Sequence, residues 1–432
     1  MITVTDTIQF EALQSNMFFA FWPRFSEFSR TRKDITSDLI AGITVAIVAL
    51  PLAIGFGITT GMSAAAGLIT AIIAGFLAAV FGGSKFQVSG PSGAMTVILI
   101  PVIQKFGLNA IPTLGVMAGV MVVLLAIFKL GAFINRVPWA VIEGFTVGIA
   151  LIIALQQVPL ALGIAKGSGE NSLQVAWNTI RDAIEIGLNF TSLFIVVLTL
   201  VIKFNFHRFS KLIPFHIPAS FVALLTVTII VKVFSIELIT IGRIPRSIGD
   251  FQPVPFADFH NLLIPALWIA LLAAVESLLS ARVADGMAHE KQEFEPNREL
   301  FGQGVATMVA SIFGGMPATG AIARTSVNVR SHAKSRLAAI FHAVVLLLIA
   351  LVAAPIVSYI PTAAIAGLLL GTSYRILNPS SIKESLLTTR TEAATILITA
   401  ISVLVIDLIW GMAIGIVLHL ILGGIKVGKW KV

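Results

Sequence analysis

Residues 86–94 read Phe-Gln-Val-Ser-Gly-Pro-Ser-Gly-Ala, and residues 316–324 read Met-Pro-Ala-Thr-Gly-Ala-Ile-Ala-Arg. Each stretch follows an apolar run that ends in a similar word, Ala-Ala-Val-Phe-Gly-Gly at 78–83 and Ala-Ser-Ile-Phe-Gly-Gly at 310–315. Each precedes a short run of helix-forming residues. Because Gly and Pro interrupt helices, the pattern predicts two half-helices at matching places in two halves of the chain. The alternative is a pair of tight turns between ordinary helices.

Composition places the chain in a membrane. Of its 432 residues, 57% are hydrophobic and 12% are charged, whereas a soluble domain carries about a quarter charged residues. The chain has no Cys, so disulfides, thiolate metal sites and a cysteine nucleophile are excluded. The histidines show no metal-ligand spacing and no catalytic triad pattern occurs, so we expect neither an enzyme nor a bound metal or cofactor. The net charge of +8 sits in short loops, which argues against a nucleic-acid partner.

Fourteen apolar runs are candidate spans. A full crossing takes about 20 residues, so the runs at 91–104 and 320–330 are too short for one. The runs are 38–58, 64–82, 91–104, 112–129, 138–162, 189–204, 217–234, 261–284, 299–314, 320–330, 337–358, 360–373, 391–407 and 410–425.

Loop charge supports this count. With fourteen crossings, 22 of the 29 Lys and Arg residues, Lys203 among them, fall on the side that holds both termini. Positive loops face the cytoplasm, so both termini are expected in the cytoplasm, in a multi-pass protein of the inner membrane.

The predicted fold is an all-α integral membrane protein with 14 transmembrane segments in a 7+7 inverted repeat. Residues 37–234 form the first seven-span repeat and residues 261–432 form the second. Because seven is an odd number, the second repeat must be inverted in the membrane relative to the first. An outer loop, 235–260, joins them, and 163–188 is a second outer loop too short for a folded domain. Residues 1–36 are a cytoplasmic or interfacial segment, in which 10–28 read as a helix in the headgroup plane.

The two breaks predict an anion site. Backbone N–H groups at a helix start lack intrahelical partners, and two facing starts make a positively polarised pocket. Hydroxyl side chains add donors, and glycines let a ligand approach the backbone. The predicted substrate-binding residues are Ser89, Gly90, Pro91, Ser92, Gly93, Ala94, Thr319, Gly320, Ala321, Ile322, Ala323, Arg324 and Phe56.

Glu276 and Arg324 are the ionisable residues expected deep in the bundle. A carboxylate inside an apolar run is costly unless it is protonated or paired, which suits an ion-coupling residue. The alternative is a glutamic acid that only ties two helices. Ser280 stands one turn after Glu276 and offers a coupling hydroxyl. We expect Arg324 to be the only basic residue deep in the bundle, where it completes the anion site or neutralises Glu276.

The motifs of this chain resemble those of the SulP, or solute carrier 26, anion transporters, in order along nearly its whole length. They are 82–92 (Gly-Gly-Ser-Lys-Phe-Gln-Val-Ser-Gly-Pro-Ser), 276–279 (Glu-Ser-Leu-Leu), 285–287 (Asp-Gly-Met), 297–300 (Asn-Arg-Glu-Leu), 302–304 (Gly-Gln-Gly) and 322–330 (Ile-Ala-Arg-Thr-Ser-Val-Asn-Val-Arg).

The resemblance implies a UraA-like inverted repeat with a core and a gate domain, in which the third and tenth helices begin at the substrate. It also implies an elevator motion, a homodimer and a small inorganic or organic anion such as sulfate, bicarbonate, a dicarboxylate or chloride. Family members usually end in a cytoplasmic STAS domain, which does not follow in a chain that ends at Val432. This fits a naturally short member or a shortened chain.

The resemblance leaves the coupling ion open. Sodium-coupled bicarbonate members tend to carry Asp where Glu276 stands, and Ile322 supplies no hydroxyl here, so proton symport is favoured over sodium. Nucleobase transporters of the same fold usually place a carboxylate in the tenth helix, where this chain has Arg324. A nucleobase transporter, a sodium–bicarbonate symporter and an uncoupled anion channel or sensor are the alternatives.

Overall fold

Each of the fourteen predicted apolar runs contains a helix in the computed structural model. The structure describes residues 21–134, 137–169, 171–209, 218–242, 247–255, 258–289, 294–377, 382, 389–406 and 408–423.

The first half of the chain holds ten helices in this described part and one short strand. They are α1 (Arg32–Thr59), α2 (Ala64–Phe81), β1 (Ser89–Gly90), α3 (Gly93–Phe106), α4 (Ile111–Ile127), α5 (Gly131–Ile134), α6 (Trp139–Gln156), α7 (Val158–Leu162), α8 (Ser172–Ile186), α9 (Phe190–Phe209) and α10 (Ala219–Val233).

The second half continues in the same manner, again with one strand beside a break. Its elements are α11 (Phe259–Ala288), α12 (Pro296–Ile312), β2 (Thr319–Gly320), α13 (Ile322–Arg330), α14 (Leu337–Val352), α15 (Ala354–Val357), α16 (Thr362–Leu377), α17 (Arg390–Val405) and α18 (Leu408–Gly423). Within the described residues, five stretches are long and apolar enough to cross a bilayer unaided.

The expectation of an all-α chain needs one correction. β1 and β2 pair as an antiparallel ladder, with Ser89 opposite Gly320 and Gly90 opposite Thr319. The ladder extends by one hydrogen bond, from the Ala321 amide to the Val88 carbonyl at 3.2 Å. The ladder satisfies backbone groups that would otherwise be bare inside an apolar bundle.

The helices pack into two bundles that meet at a cavity. The half-helix bundle contains α1–α4 and α11–α14, in which α4 packs along α12 and α1 along α14. The flanking bundle contains α6–α10 and α16–α18, in which α6 packs along α17 and α9 along α16.

The N-terminal segment differs from its prediction where it is described. Residues 10–20 of the predicted interfacial helix lie outside the described residues. From residue 21 onward the chain packs against the protein, since Phe21 stacks on Phe301 with ring centroids 4.6 Å apart and Trp22 contacts Phe81. Phe25–Glu27 forms a single 3-10 turn there.

Glu27 fastens this segment to two buried arginines. Arg298 donates through both terminal nitrogens to the Glu27 carboxylate, and Arg336 Nε lies 3.3 Å from it. Burial alone raises the pKa of Glu27, but the Arg298 and Arg336 guanidiniums outweigh it and hold that pKa below its usual value. The segment is therefore tied to the start of α12 and the start of α14.

Candidate functional site

A cavity of about 440 Å³ lies between the two bundles, at the starts of both half-helices. The half-helix bundle contributes residues of α1, α11 and the two helix starts: Val48, Leu52, Phe56, Ser92, Gly93, Ala94, Glu276, Leu279, Ala321, Ile322, Ala323, Arg324, Ser326, Val327 and Arg330. The flanking bundle contributes Phe145, Thr146, Ile149, Ile153, Lys203, Ser220, Thr372, Arg375 and Ile376.

Ser92 joins the first half-helix to the buried carboxyl group. Its hydroxyl oxygen accepts from the Met95 amide at 3.4 Å as the N-cap of α3, and the hydroxyl donates to Glu276 Oε2 at 2.9 Å. This capping satisfies one orphan N–H, and the others at the helix start remain polarised toward the cavity.

Gly93 brings the backbone of α3 against the cavity wall. A Cβ at this position would lie 2.2 Å from Ile153 Cδ1 and 3.2 Å from Phe56 Cε1. A larger residue would push both side chains, and the cavity that they line would change shape. Gly93 therefore sets how closely a ligand can approach the N-terminal end of this helix.

Arg324 carries the positive charge of the second helix start. It is 1% exposed, and its Nη2 donates to the Pro91 carbonyl at 2.9 Å. Its Nη1 has no hydrogen-bond partner among the described residues and fits against Gly90, where a Cβ would lie 2.5 Å away. A buried guanidinium N–H without an acceptor is costly, and Arg324 also carries its positive charge at the cavity that it lines.

Glu276 and Arg324 line the same cavity with opposite charges. The described structure contains no direct ion pair between them, but their charges interact across the site. The Thr319 hydroxyl lies near the Glu276 carboxyl group as well. An anion entering the cavity would therefore meet the repulsion of an ionised Glu276 as well as the attraction of Arg324.

Six predicted site residues do not line the cavity. They are Ser89, Gly90, Pro91, Thr319, Gly320 and Ser280, whereas Phe56 and the other predicted residues of both helix starts do line it.

Hydrogen bonds show that some of these six residues support the site from behind. Ser89 donates to Gln303 Oε1 at 2.7 Å, and Gln303 Nε2 in turn donates to the Ala318 carbonyl at 2.8 Å. The Ser280 hydroxyl bonds Thr325 at 3.0 Å on the buried side of α13. Their hydroxyls are thus used in holding the half-helices in place.

Lys203 is one of the lining residues that sequence reasoning missed. It is 1% exposed, and its Nζ donates to the Leu368 carbonyl at 2.7 Å and to Thr372 Oγ1 at 2.9 Å. The expectation that Lys203 belongs to a loop is wrong, because it lies in α9 and is buried. The expectation that Arg324 is the only deeply buried basic residue is wrong as well, because Lys203, Arg298 and Arg336 are also buried. The position of Lys203 at the end of an apolar run gave only a weak signal.

The sequence pattern of the Sulfate permease family matches residues 35–400. The chain belongs to the sulfate permease family. Its relatives are membrane transporters, so the chain is a multi-pass transporter and not an enzyme, as the resemblance of its motifs implied.

Two relatives show how far the similarity reaches. YvdB of Bacillus subtilis (strain 168), provisionally named a sulfate transporter, is 39% identical over 88% of this chain and 72% of its own length. The bicarbonate transporter BicA of Picosynechococcus sp. is 33% identical over 82% of this chain and 64% of its own length. The described chain thus corresponds to part of each relative.

Solved structures of the family share the fold. The transmembrane domain of a cyanobacterial bicarbonate transporter BicA superposes with a TM-score of 0.78 at 28% identity, covering 90% of this chain and 98% of that domain. The murine anion transporter Slc26a9 in its inward-facing state superposes with a TM-score of 0.83 over 96% of this chain and 73% of its own. At 16% identity the latter similarity concerns the fold alone.

Proposed function

We propose that the chain is a secondary active transporter of small anions, which bind between the starts of α3 and α13. The observation that carries the proposal is the convergence of two helix N-termini, the Ser92 hydroxyl and the positively charged Arg324 side chain on one cavity. Helix starts and guanidinium groups are both suited to oxyanions. The named substrates of the relatives, sulfate and bicarbonate, are oxyanions, and dicarboxylates share their chemistry.

Glu276 is proposed as the coupling residue, with a proton as the coupling ion. While ionised, this carboxylate competes with an incoming anion for the field of Arg324 and for the Ser92 hydroxyl. Protonation removes the repulsion, so proton and anion favour each other's binding and are carried together. Sodium needs a shell of several oxygens, and the hydroxyl of Ser280 is already bonded to Thr325.

The proposed transport cycle is an elevator. The half-helix bundle is the core, which carries the anion, and the flanking bundle is the gate, against which it moves. We place fourteen crossings in an inverted repeat of residues 37–234 and 261–432, with both termini in the cytoplasm, and we expect a homodimer. The shared fold with the BicA transmembrane domain and the matched breaks before α3 and α13 support this arrangement.

Flux into proteoliposomes tests the proposal. Purified protein is reconstituted and given radiolabelled sulfate, bicarbonate or fumarate, each with and without an inward proton or sodium gradient. We expect saturable uptake of at least one anion, accelerated by the proton gradient and indifferent to sodium.

Three results would contradict parts of this proposal. Uptake that ignores both gradients would remove the coupling assignment. Uptake of uracil together with no transport of any of the three anions would favour a nucleobase transporter. Currents that do not saturate would favour an anion channel.

A further inference from the structure

Helix α8 presents three different faces, although the sequence predicted a loop there. At about 100° per residue, its side chains fall into three sectors. One sector packs against α6, α7 and α17 of the flanking bundle. Its members are small or β-branched and buried: Val175, Ala176, Thr179 and Ala183.

The second sector is apolar and exposed. Trp177 is 70% exposed and Ile184 is 69% exposed, and both belong to a stripe at helical spacing with Leu173 and Ile180. The stripe points to one side of the helix, roughly a quarter to a third of a turn from the buried sector. In a helix lying in water such a stripe would be exposed at a cost.

The third sector is polar and lies about a third of a turn from each of the other two. Arg181 and Glu185 form an ion pair there, with Arg181 Nε 3.1 Å from Glu185 Oε1. Gln174, Asn178 and Asp182 complete this sector. While its buried sector packs on the protein, α8 therefore exposes one apolar side and one polar side.

Local hydrogen bonds fix the rotation of α8 about its axis. Asn171 caps its start through the Gln174 amide at 2.9 Å. Thr179 Oγ1 accepts from the Gly167 amide at 3.0 Å, and Asn178 Nδ2 donates to the Ser168 carbonyl at 2.7 Å. The apolar and polar stripes cannot exchange places without breaking these bonds.

The apolar stripe continues into the lipid-facing surface of the next helix. After Leu188 the chain enters α9, whose exposed large residues recur at helical spacing: Phe190, Phe194, Val197 and Val201. A membrane-spanning helix with such a face presents it to acyl chains. The acyl-chain layer that α9 faces thus begins where the apolar stripe on α8 ends.

We propose that α8 lies in the plane of the membrane–water interface, with its apolar stripe in the lipid and its polar stripe in water. Trp177 is the residue type that favours this depth, since its ring is amphipathic. The lipid that covers the apolar stripe belongs to the leaflet on the side of the membrane where α8 connects to α9. Because α8 packs on the flanking bundle, it holds that bundle at a fixed depth. This assignment does not depend on which anion is carried.

Fluorescence quenching by brominated phosphatidylcholine tests the proposal. The emission of Trp177 is obtained as the difference between the wild-type protein and the Trp177→Phe variant in the same proteoliposomes. Bromine is placed near the headgroup, at mid-chain or near the chain end. We expect the largest loss of this emission with bromine near the headgroup and little loss with bromine near the chain end.

A matched control moves the probe to the polar flank of the same helix. Asp182→Trp, made in the Trp177→Phe background, should be insensitive to brominated lipid and quenched by aqueous iodide present on both sides of the membrane. Quenching of Trp177 by iodide and not by bromolipid would place α8 in water and overturn the proposal. Resistance of Trp177 to both quenchers would mean that protein, such as a second copy of the chain, covers the stripe, and would overturn it equally.

Discussion

Replacing Arg324 by Gln should weaken anion binding without unfolding the protein. The side chain is buried at the cavity, with one terminal nitrogen bonded to the Pro91 carbonyl and the other packed against Gly90 without a hydrogen-bond partner among the described residues. A hydrogen bond to a charged group is worth about 1.5–3 kcal/mol, and the lost charge acts in a site shielded from water. We therefore expect a loss of about 2–3 kcal/mol, which is about a 30- to 150-fold rise in the KM for the anion.

Arg330→Gln is the matched control for this change. Arg330 lies on the same helix and lines the same cavity, but it is exposed. Exposed charges are screened, so its loss should cost less than about 1 kcal/mol, or about fivefold in KM. Both variants keep the helix length and an amide donor at the changed position.

Initial rates of anion uptake, normalised to the reconstituted protein, give KM and Vmax for both variants. Thermal unfolding in detergent shows whether Arg324→Gln still folds. If it folds and its KM rises no more than that of Arg330→Gln, Arg324 does not bind the anion and the site assignment fails.

Three further predictions concern Glu276, the hydrogen bond between Ser89 and Gln303, and the N-terminal segment. Glu276→Gln should abolish acceleration of uptake by a proton gradient while anion exchange continues, and a surviving proton dependence would show that another group is coupled. Ser89→Ala should lower the free energy of unfolding by about 1–3 kcal/mol, because Gln303 loses a buried donor, yet leave the anion KM unchanged. Since the pKa of Glu27 is held below its usual value of 4.5, its carboxylate stabilises the fold above that pH and this contribution is lost as the pH falls further. Melting temperatures measured from neutral pH downward should therefore fall less steeply below about pH 4.5 in Glu27→Gln than in the wild type, and equal slopes would contradict the ion pair.

Hydrophobic patterning was enough to locate the helices of the apolar runs. Each of the fourteen runs holds a helix, and the breaks at 86–94 and 316–324 fall directly before α3 and α13. Lipid-facing helices must be apolar over their length, and Gly and Pro end them, so this information is local in the sequence. The family resemblance rested on the same local motifs.

Features that depend on distant partners were not predictable in this way. β1 and β2 are two residues each and exist only because segments 230 residues apart meet, so no local pattern marks them. Ser89 and Ser92 look alike in the sequence, yet one bonds Gln303 and the other faces the cavity. Lys203 resembles a loop residue until α16 supplies its carbonyl and hydroxyl partners. In α8 the apolar residues share one flank while charges share another, so its mixed composition reads as a loop.

The ladder between β1 and β2 bears on how an anion is released. It bonds the two helix starts to each other just behind the cavity, so they form one rigid unit and do not move apart independently. An anion bound between these helix starts would therefore not be released by their separation. In the proposed cycle, release would instead require the half-helix bundle and the flanking bundle to separate at the cavity. In the proposed transport cycle, the half-helix bundle would thus determine which anion binds, and the flanking bundle would determine how fast the anion is released.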